Sequence, residues 1–295
     1  MRSRKPASVK GPFPIVGIGA SAGGLEAVTR LLTPLSSTTG MAFVLVQHLD
    51  PTRESLLTGI LQNATAMPVA QAKNGVRILP NHVYIIPPNA HMVVSDGHLK
   101  LMPRPAGAPA MSVNCFLCSL AEQLGNKAIA VILSGTASDG ALGVRAIKAE
   151  GGIVFAQDEK SAGHFGMPQS AAATGVVDFV LPPEKIAAEL ASIASHPVLL
   201  PVVADFFHDS ESLGTIFRLL QAATRVDFNL YKPSTIKRRL MRRLMLHKLK
   251  SLDQYAALLA ADSDEVRALH DDLLIHVTSF FRDPKATSAL RAKAF

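Results

Sequence analysis

The sequence predicts an α/β fold, a doubly wound and mostly parallel sheet, followed by a small all-α domain. Three observations carry this. From Phe13 to about Ala194, short apolar runs rich in β-branched residues alternate with stretches of helical periodicity, the pattern of successive βαβ units. From Ser210 onward only helical periodicity remains. The 295 residues, 48% of them hydrophobic, suffice for two cores and exclude a disordered or fibrous chain.

In chain order, residues 14–18 read as a buried strand, 25–32 as a helix and 42–46 as a second strand. Residues 84–86 form a further apolar run. Residues 91–94 and 99–101, joined through Asp96-Gly97, read as a hairpin inserted in the βαβ scheme. A proline-rich loop over 103–109 precedes a helix over 114–124. Residues 128–133 then form a strand and 141–149 a helix, and another helix follows Pro182-Pro183 to about Ala194. The expected divisions are a first domain over 12–195, a linker over 196–209, a helical domain over 210–285 and the start of a truncated domain over 286–295. Helices are expected at 213–223, 234–249, 252–261 and 265–277.

Two cysteines and no Cys-rich framework fit a reducing compartment, so a cytoplasmic location is expected. No apolar run approaches the roughly 18–20 residues that span a bilayer, and no membrane insertion is expected. Arg2, Arg4, Lys5 and Lys10 before Ala20-Ser21-Ala22 imitate a signal peptide, but Pro12, Pro14, Gly17 and Gly19 interrupt its apolar core. The net charge of +7 is local. Eight Lys/Arg and no acid lie between Lys232 and Lys250, which leaves a balance of −1 elsewhere.

The glycine-rich stretch 17–24 follows the first strand and precedes a helix. Gly17-x-Gly19-x-x-Ala22 fits a dinucleotide fingerprint, while Gly19-x-Ser21-x-Gly23 fits a nucleophile elbow. His48 ends the second strand, and Asp139 follows the strand at 128–133. Ser21, His48 and Asp139 thus all lie beyond the carboxyl ends of expected parallel strands, the edge where such sheets bind ligands. A serine needs an imidazole to take its proton, and the imidazole needs a carboxylate to hold its tautomer. Taken alone, Asp139 also suits the N-cap of the next helix. Cys115-x-x-Cys118 lacks a second pair and reads as packing, Asp158-Glu159 as a solvated turn, and no metal spacing occurs.

These motifs resemble the catalytic domain of the chemotaxis protein-glutamate methylesterases, the CheB family. The resemblance rests on residues 17–24, Val46-Gln47-His48, residues 133–140, 156–159, Phe165-Gly166-Met167-Pro168 and 174–178. It implies a Rossmann-like fold with Ser21 as nucleophile, His48 as general base and Asp139 as orienting acid. It also implies hydrolysis of glutamate γ-methyl esters on chemoreceptors, extending to glutamine deamidation. The oxyanion site or substrate cleft would involve Ala22, Thr136, Ala137 and Met167. Ala137 departs from the family's glycine. No receiver domain precedes the first strand, so phosphorylation control within the chain is not expected.

Residues 213–284 resemble the N-terminal domain of the chemotaxis receptor methyltransferases, the CheR family, through 231–239, Arg242-Arg243 and 277–284. Thr278 and Arg282 match methyl-donor positions there, but form an incomplete site. No cofactor is expected; S-adenosylmethionine would require a full methyltransferase domain. On a helical wheel, Arg238, Arg239, Arg242 and Arg243 form one stripe opposite Ile236, Leu240 and Leu244, the expected receptor-docking face. Nucleic acid is not an expected partner, because no aromatic residues interleave the arginines. A nicotinamide-dependent oxidoreductase and a non-enzymatic receptor adaptor are the alternatives.

Overall fold

The first apolar run of the sequence, at residues 14–18, lies in the central strand of the sheet. A computed structural model of the protein describes residues 13–47, 56–103, 111–195 and 210–274. Strand β1 (Ile15–Ala20) turns into α1 (Gly24–Leu32), and β2 (Ala42–Gln47) returns parallel to β1. Helix α2 (Leu57–Ala64) leads to β3 (Val69–Gln71), β4 (Val76–Arg77) and β5 (Val83–Ile85). The hairpin β6 (Ala90–Ser95) and β7 (His98–Pro103) precedes α3 (Ser112–Leu124), β8 (Ala128–Ile132), α4 (Ala141–Ala149) and β9 (Ile153–Gln157). Helix α5 (Gly166–Ala172), β10 (Phe179–Leu181) and α6 (Pro183–Ala194) close the α/β part.

Among the described residues, seven strands form the main sheet in the order β10-β9-β8-β1-β2-β5-β3, and every pairing in it is parallel. The expected hairpin exists, with Asp96 and Gly97 both at positive φ as a tight turn requires. It does not enter the main sheet. It pairs with β4 in a separate three-stranded antiparallel sheet instead. The strands β3, β4, β9 and β10 escaped the sequence reading, three of them because two or three residues carry no periodicity.

Alternation along the strands divides two cores. Val16 and Ile18 of β1, Phe43 and Leu45 of β2, and Ile129 and Val131 of β8 face one side, with α1 and α6. Ala42, Val44, Ala130 and Ile132 face the other, with α3 and α4. Val28, Leu31 and Leu32 on α1 are fully buried, each contributing about 1.5–3 kcal/mol. Helix α3 lies unusually close to β1, since a Cβ on Gly19 would stand 2.5 Å from Val113 Cγ1.

The helical module comprises α7 (Ser210–Thr224), α8 (Pro233–Leu246), α9 (Leu252–Ala261) and α10 (Ser263–Leu273). Pro233 opens α8 at a position where no intrahelical N–H is needed, and Ser251 and Asp262 cap α9 and α10. Helix α8 stops short of residue 249 because Lys248 turns to φ 57 and the Leu249 amide returns to Leu244 O at 2.9 Å. One apolar cluster runs from the α1/α6 face of the sheet into this module, including Ile193, Leu220, Leu240 and Leu269. No described helix is long and apolar enough to cross a membrane.

Candidate active site

In the sheet order, β1 lies between β2 and β8, and the chain winds outward from it in both directions. The crevice of such a sheet opens at this reversal, beyond the carboxyl ends of the strands. Ser21 follows β1 directly, and residues 133–140 follow β8. His48 follows β2, the other neighbour of β1, and lies outside the described residues.

Ser21 sits on a short turn whose last residue, Gly23, has φ 73, a conformation that glycine adopts without strain. A Cβ there would also meet Ser134 Oγ at 2.6 Å. The turn is fixed from several sides. The Ser21 amide donates to Ser134 O at 2.9 Å, and Ser21 O accepts the Gly24 amide at 2.9 Å and Gln47 Nε2 at 3.4 Å. The amides of Ala22 and Gly23 donate to no protein acceptor among the described residues. They stand just before α1, where a helix amino end favours negative charge.

Ser134, fully buried, ties three sequence motifs together. Its Oγ donates to Ala22 O at 2.8 Å and accepts the His164 amide at 2.9 Å, while its own amide donates to Gln157 Oε1 at 2.8 Å. Gly135 continues the weld, donating to His164 O and accepting from the Met167 amide, both at 2.9 Å. Ser134, Gln157 and Gln47 were not singled out from the sequence. Their signal was their place inside quoted motifs, which a search for reactive groups passes over.

Asp139 is 3% exposed, and its carboxylate accepts the amides of Val113 and Asn114, each at 2.9 Å. It therefore caps a helix, but α3 and not the following α4, whose N-cap is Gly140. Thr136 and Ala137 lie exposed on the same loop, and Ala137 holds φ 64. Met167, expected in the cleft, is only 1% exposed and packs beneath Gly135. It supports the loop from below.

The dinucleotide reading fails on position. Gly17 and Gly19 lie within β1, not at its end, and the space over them is taken by Leu117 and Val113 of α3. Cys115 and Cys118 are free thiols half-buried on α3, and burial raises both above the ordinary thiol range.

The arginine stripe is corrected too. Arg239, Arg242 and Arg243 are buried, and Arg238 is half-buried and paired with Glu150 at 2.6 Å. Arg239 donates to the terminal carbonyls of α4, Lys148 O at 2.6 Å and Ala149 O, which carry the negative end of that helix. Burial lowers its guanidinium to about 10. Arg242 donates to Gly152 O at 3.0 Å and pairs with Asp178 and Asp272. Arg243 engages Glu265, which also accepts Tyr255 Oη at 2.6 Å. These partners consume the charge that the wheel assigned to a receptor. Gly152 and Asp178 precede β9 and β10, so the module is docked on the amino edge of the sheet, opposite Ser21. Thr278 and Arg282 lie outside the described residues.

Comparison with known proteins agrees with this architecture. Residues 16–190 match the family described as CheB methylesterase, and residues 211–274 match CheR methyltransferase, all-alpha domain. The crystal structure of the Thermotoga maritima CheB methylesterase catalytic domain superposes with a TM-score of 0.58 at 31% identity, covering 62% of this chain and 99% of that one. Protein-glutamate methylesterase/protein-glutamine glutaminase 2 of Burkholderia lata is 37% identical over 65% of this chain and 58% of its own length. The Myxococcus xanthus enzyme 1 of that name is 38% identical over 61% and 54%. An uncharacterized 104.1 kDa protein of Rhodobacter capsulatus is 35% identical over 260 residues, 80% of this chain but 27% of that protein. The chain thus spans a little over half the length of those two methylesterases and about a quarter of the third relative. With the family match covering the sheet that carries Ser21 and Asp139, the chain belongs to the CheB methylesterase family.

Proposed function

We propose that this chain hydrolyses glutamate γ-methyl esters on a methyl-accepting signalling protein of the chemoreceptor kind, releasing methanol. The observation that carries the reading is Ser21 on a rigid turn at the point where the sheet reverses, one strand away from the loop of Asp139. Ser21 Oγ attacks the ester carbonyl while His48 takes its proton. Asp139 holds the imidazole in the tautomer that can accept and stabilises the imidazolium. The amides of Ala22 and Gly23 are suited to receive the tetrahedral oxyanion. The imidazolium returns its proton to the departing methoxide, leaving a glutamyl ester on Ser21. Water, deprotonated by His48, then cleaves that ester and restores the serine. Attack on a glutamine side chain by the same route releases ammonia, in keeping with the double name of the relatives. Water is the one co-substrate, and no cofactor takes part.

The test is methanol release from a methylated receptor fragment, together with labelling by a fluorophosphonate. Ser21→Ala should abolish both, and His48→Ala should remove nearly all turnover, because members of such a triad act as a unit. Asp139→Asn should cost on the order of 10⁴ in turnover if the wrong tautomer is selected. Wild-type turnover in Ser21→Ala would overturn the mechanism. A fully folded chain that labels with no probe and releases no methanol would be an adaptor.

A further inference from the structure

We infer that Asn114 is the positioning residue for Asp139, clamping the loop that carries the carboxylate to the amino end of α3. The inference deepens the proposed function and rests on its assignment of Asp139 as the group that orients His48.

The two helix-end amides of Val113 and Asn114 fix the Asp139 carboxylate, but not the backbone on which it rides. Asn114 supplies the second constraint. Its Oδ1 accepts the amide of Gly140, the residue after Asp139, at 3.0 Å, and that of Gly143 at 2.9 Å. Two backbone donors converging on one side-chain atom identify that atom as the oxygen. The result is a closed ring. Asn114 N–H runs to the Asp139 carboxylate, the chain runs from Asp139 to Gly140, and the Gly140 amide returns to Asn114.

The ring also explains why α4 needs no capping side chain of its own. Its N-cap glycine has φ 108, and two of the orphan donors of its first turn are taken by Asn114. Asparagine is a poor helix former, yet it sits in the first turn of α3, 6% exposed. Alanine there would suit the helix better and would leave two buried amides without an acceptor. Misplacement of a catalytic group by about 1 Å can cost roughly 100-fold in rate. A side chain that acts only through the Asp139 loop can therefore govern turnover.

The experiment compares Asn114→Ala, Asn114→Asp and Asp139→Asn in the whole chain. It follows hydrolysis of a small methyl ester, fluorophosphonate labelling of Ser21, hydrogen exchange at Gly140 and Gly143, and folding by circular dichroism. Asn114→Ala should lower kcat by about 10- to 100-fold, leave KM within about twofold and expose the two glycine amides to exchange. Asn114→Asp, which keeps an oxygen acceptor in place, should recover most of kcat and the protection of both amides. If Asn114→Ala turns over within threefold of wild type while Asp139→Asn is inactive, the inference falls and the proposed function stands. If both Asn114 variants lose activity only in proportion to unfolded protein, Asn114 is structural and the inference falls. If Asp139→Asn is as active as wild type, the role given to Asp139 falls, and the inference with it.

Discussion

Arg242 and Asp178 form a buried ion pair that joins α8 of the helical module to the amino end of β10. Asp178 is committed on both sides, since Oδ2 accepts the Val154 amide at 2.9 Å while Oδ1, the oxygen that meets Arg242, also takes Lys148 Nζ at 3.0 Å. Asp272 of α10 meets the same Arg242 and the same Lys148. Removing the guanidinium leaves two buried carboxylates to share Lys148, with Arg243 reaching only Asp272, at 3.6 Å. Arg242→Met is therefore expected to cost about 3–5 kcal/mol, as breaking one side of a buried ionic cluster does. Denaturant unfolding should report it, with the sheet and the helical module melting in one coincident transition in the wild type. A wild-type module that melts separately would mean that the shared cluster does not couple the two parts.

The same cluster sets an acid limit. Burial alone would raise Asp272, but the charges of Arg242, Lys148 and Arg243 outweigh it and hold the carboxyl below its ordinary 3.8. A depressed folded-state pKa contributes stability that is fully present above the unfolded value and lost as pH falls through the folded one. The wild type should hold its denaturation midpoint from pH 7 down to about 5, then lose stability progressively below about 4. Asp272→Asn should flatten that acid limb while lowering stability at pH 7. An unchanged limb would assign the acid sensitivity to other carboxylates.

The sheet was legible because β1, β2 and β8 are apolar runs of five or six residues, and the 141–149 helix has the bounds that its periodicity predicts. Three of the missed strands have two or three residues, and their pairing is decided by neighbours far away in the chain. Ser21 and Asp139 were legible as reactive types at strand ends. Asn114 and Ser134 were not, since their partners come from segments 23–112 residues distant. The arginine stripe misled for a related reason. A helical wheel separates charge from apolar surface but cannot say whether acids and helix-end carbonyls of the same chain already meet the charge.

Ala137 occupies a backbone conformation that an L side chain adopts at a cost. Its φ of 64 puts it in the left-handed region, on an exposed loop beside the candidate site. The penalty for a non-glycine residue there is about 1–2 kcal/mol, partly offset by the greater freedom glycine gives the unfolded chain. Ala137→Gly is expected to stabilise the protein by about 0.5–1 kcal/mol, read as a raised denaturant midpoint with an unchanged slope. Phosphonate labelling of Ser21 should stay within a few fold. A lowered midpoint would show that the Ala137 methyl makes a contact worth more than its strain.

Gly135 offers the most direct check on how the nucleophile is supported. Its φ is not positive, so alanine would not strain the backbone; the obstacle is space. A Cβ at this position would stand 2.2 Å from Met167 Sδ and 3.0 Å from Ser21 Cβ. Met167 is buried and has little room to retreat, so the displacement is shared with Ser21. Gly135→Ala should cost about 1–3 kcal/mol through overpacking and slow fluorophosphonate labelling of Ser21 by at least tenfold. The double variant Gly135→Ala with Met167→Ala separates the two contacts. Removing the thioether should return much of the lost stability while the close approach to Ser21 remains, so labelling should stay slow. Labelling that recovers fully with Met167→Ala would place the whole effect on loop packing. Labelling at the wild-type rate in Gly135→Ala alone would show that Ser21 does not depend on the loop beneath it.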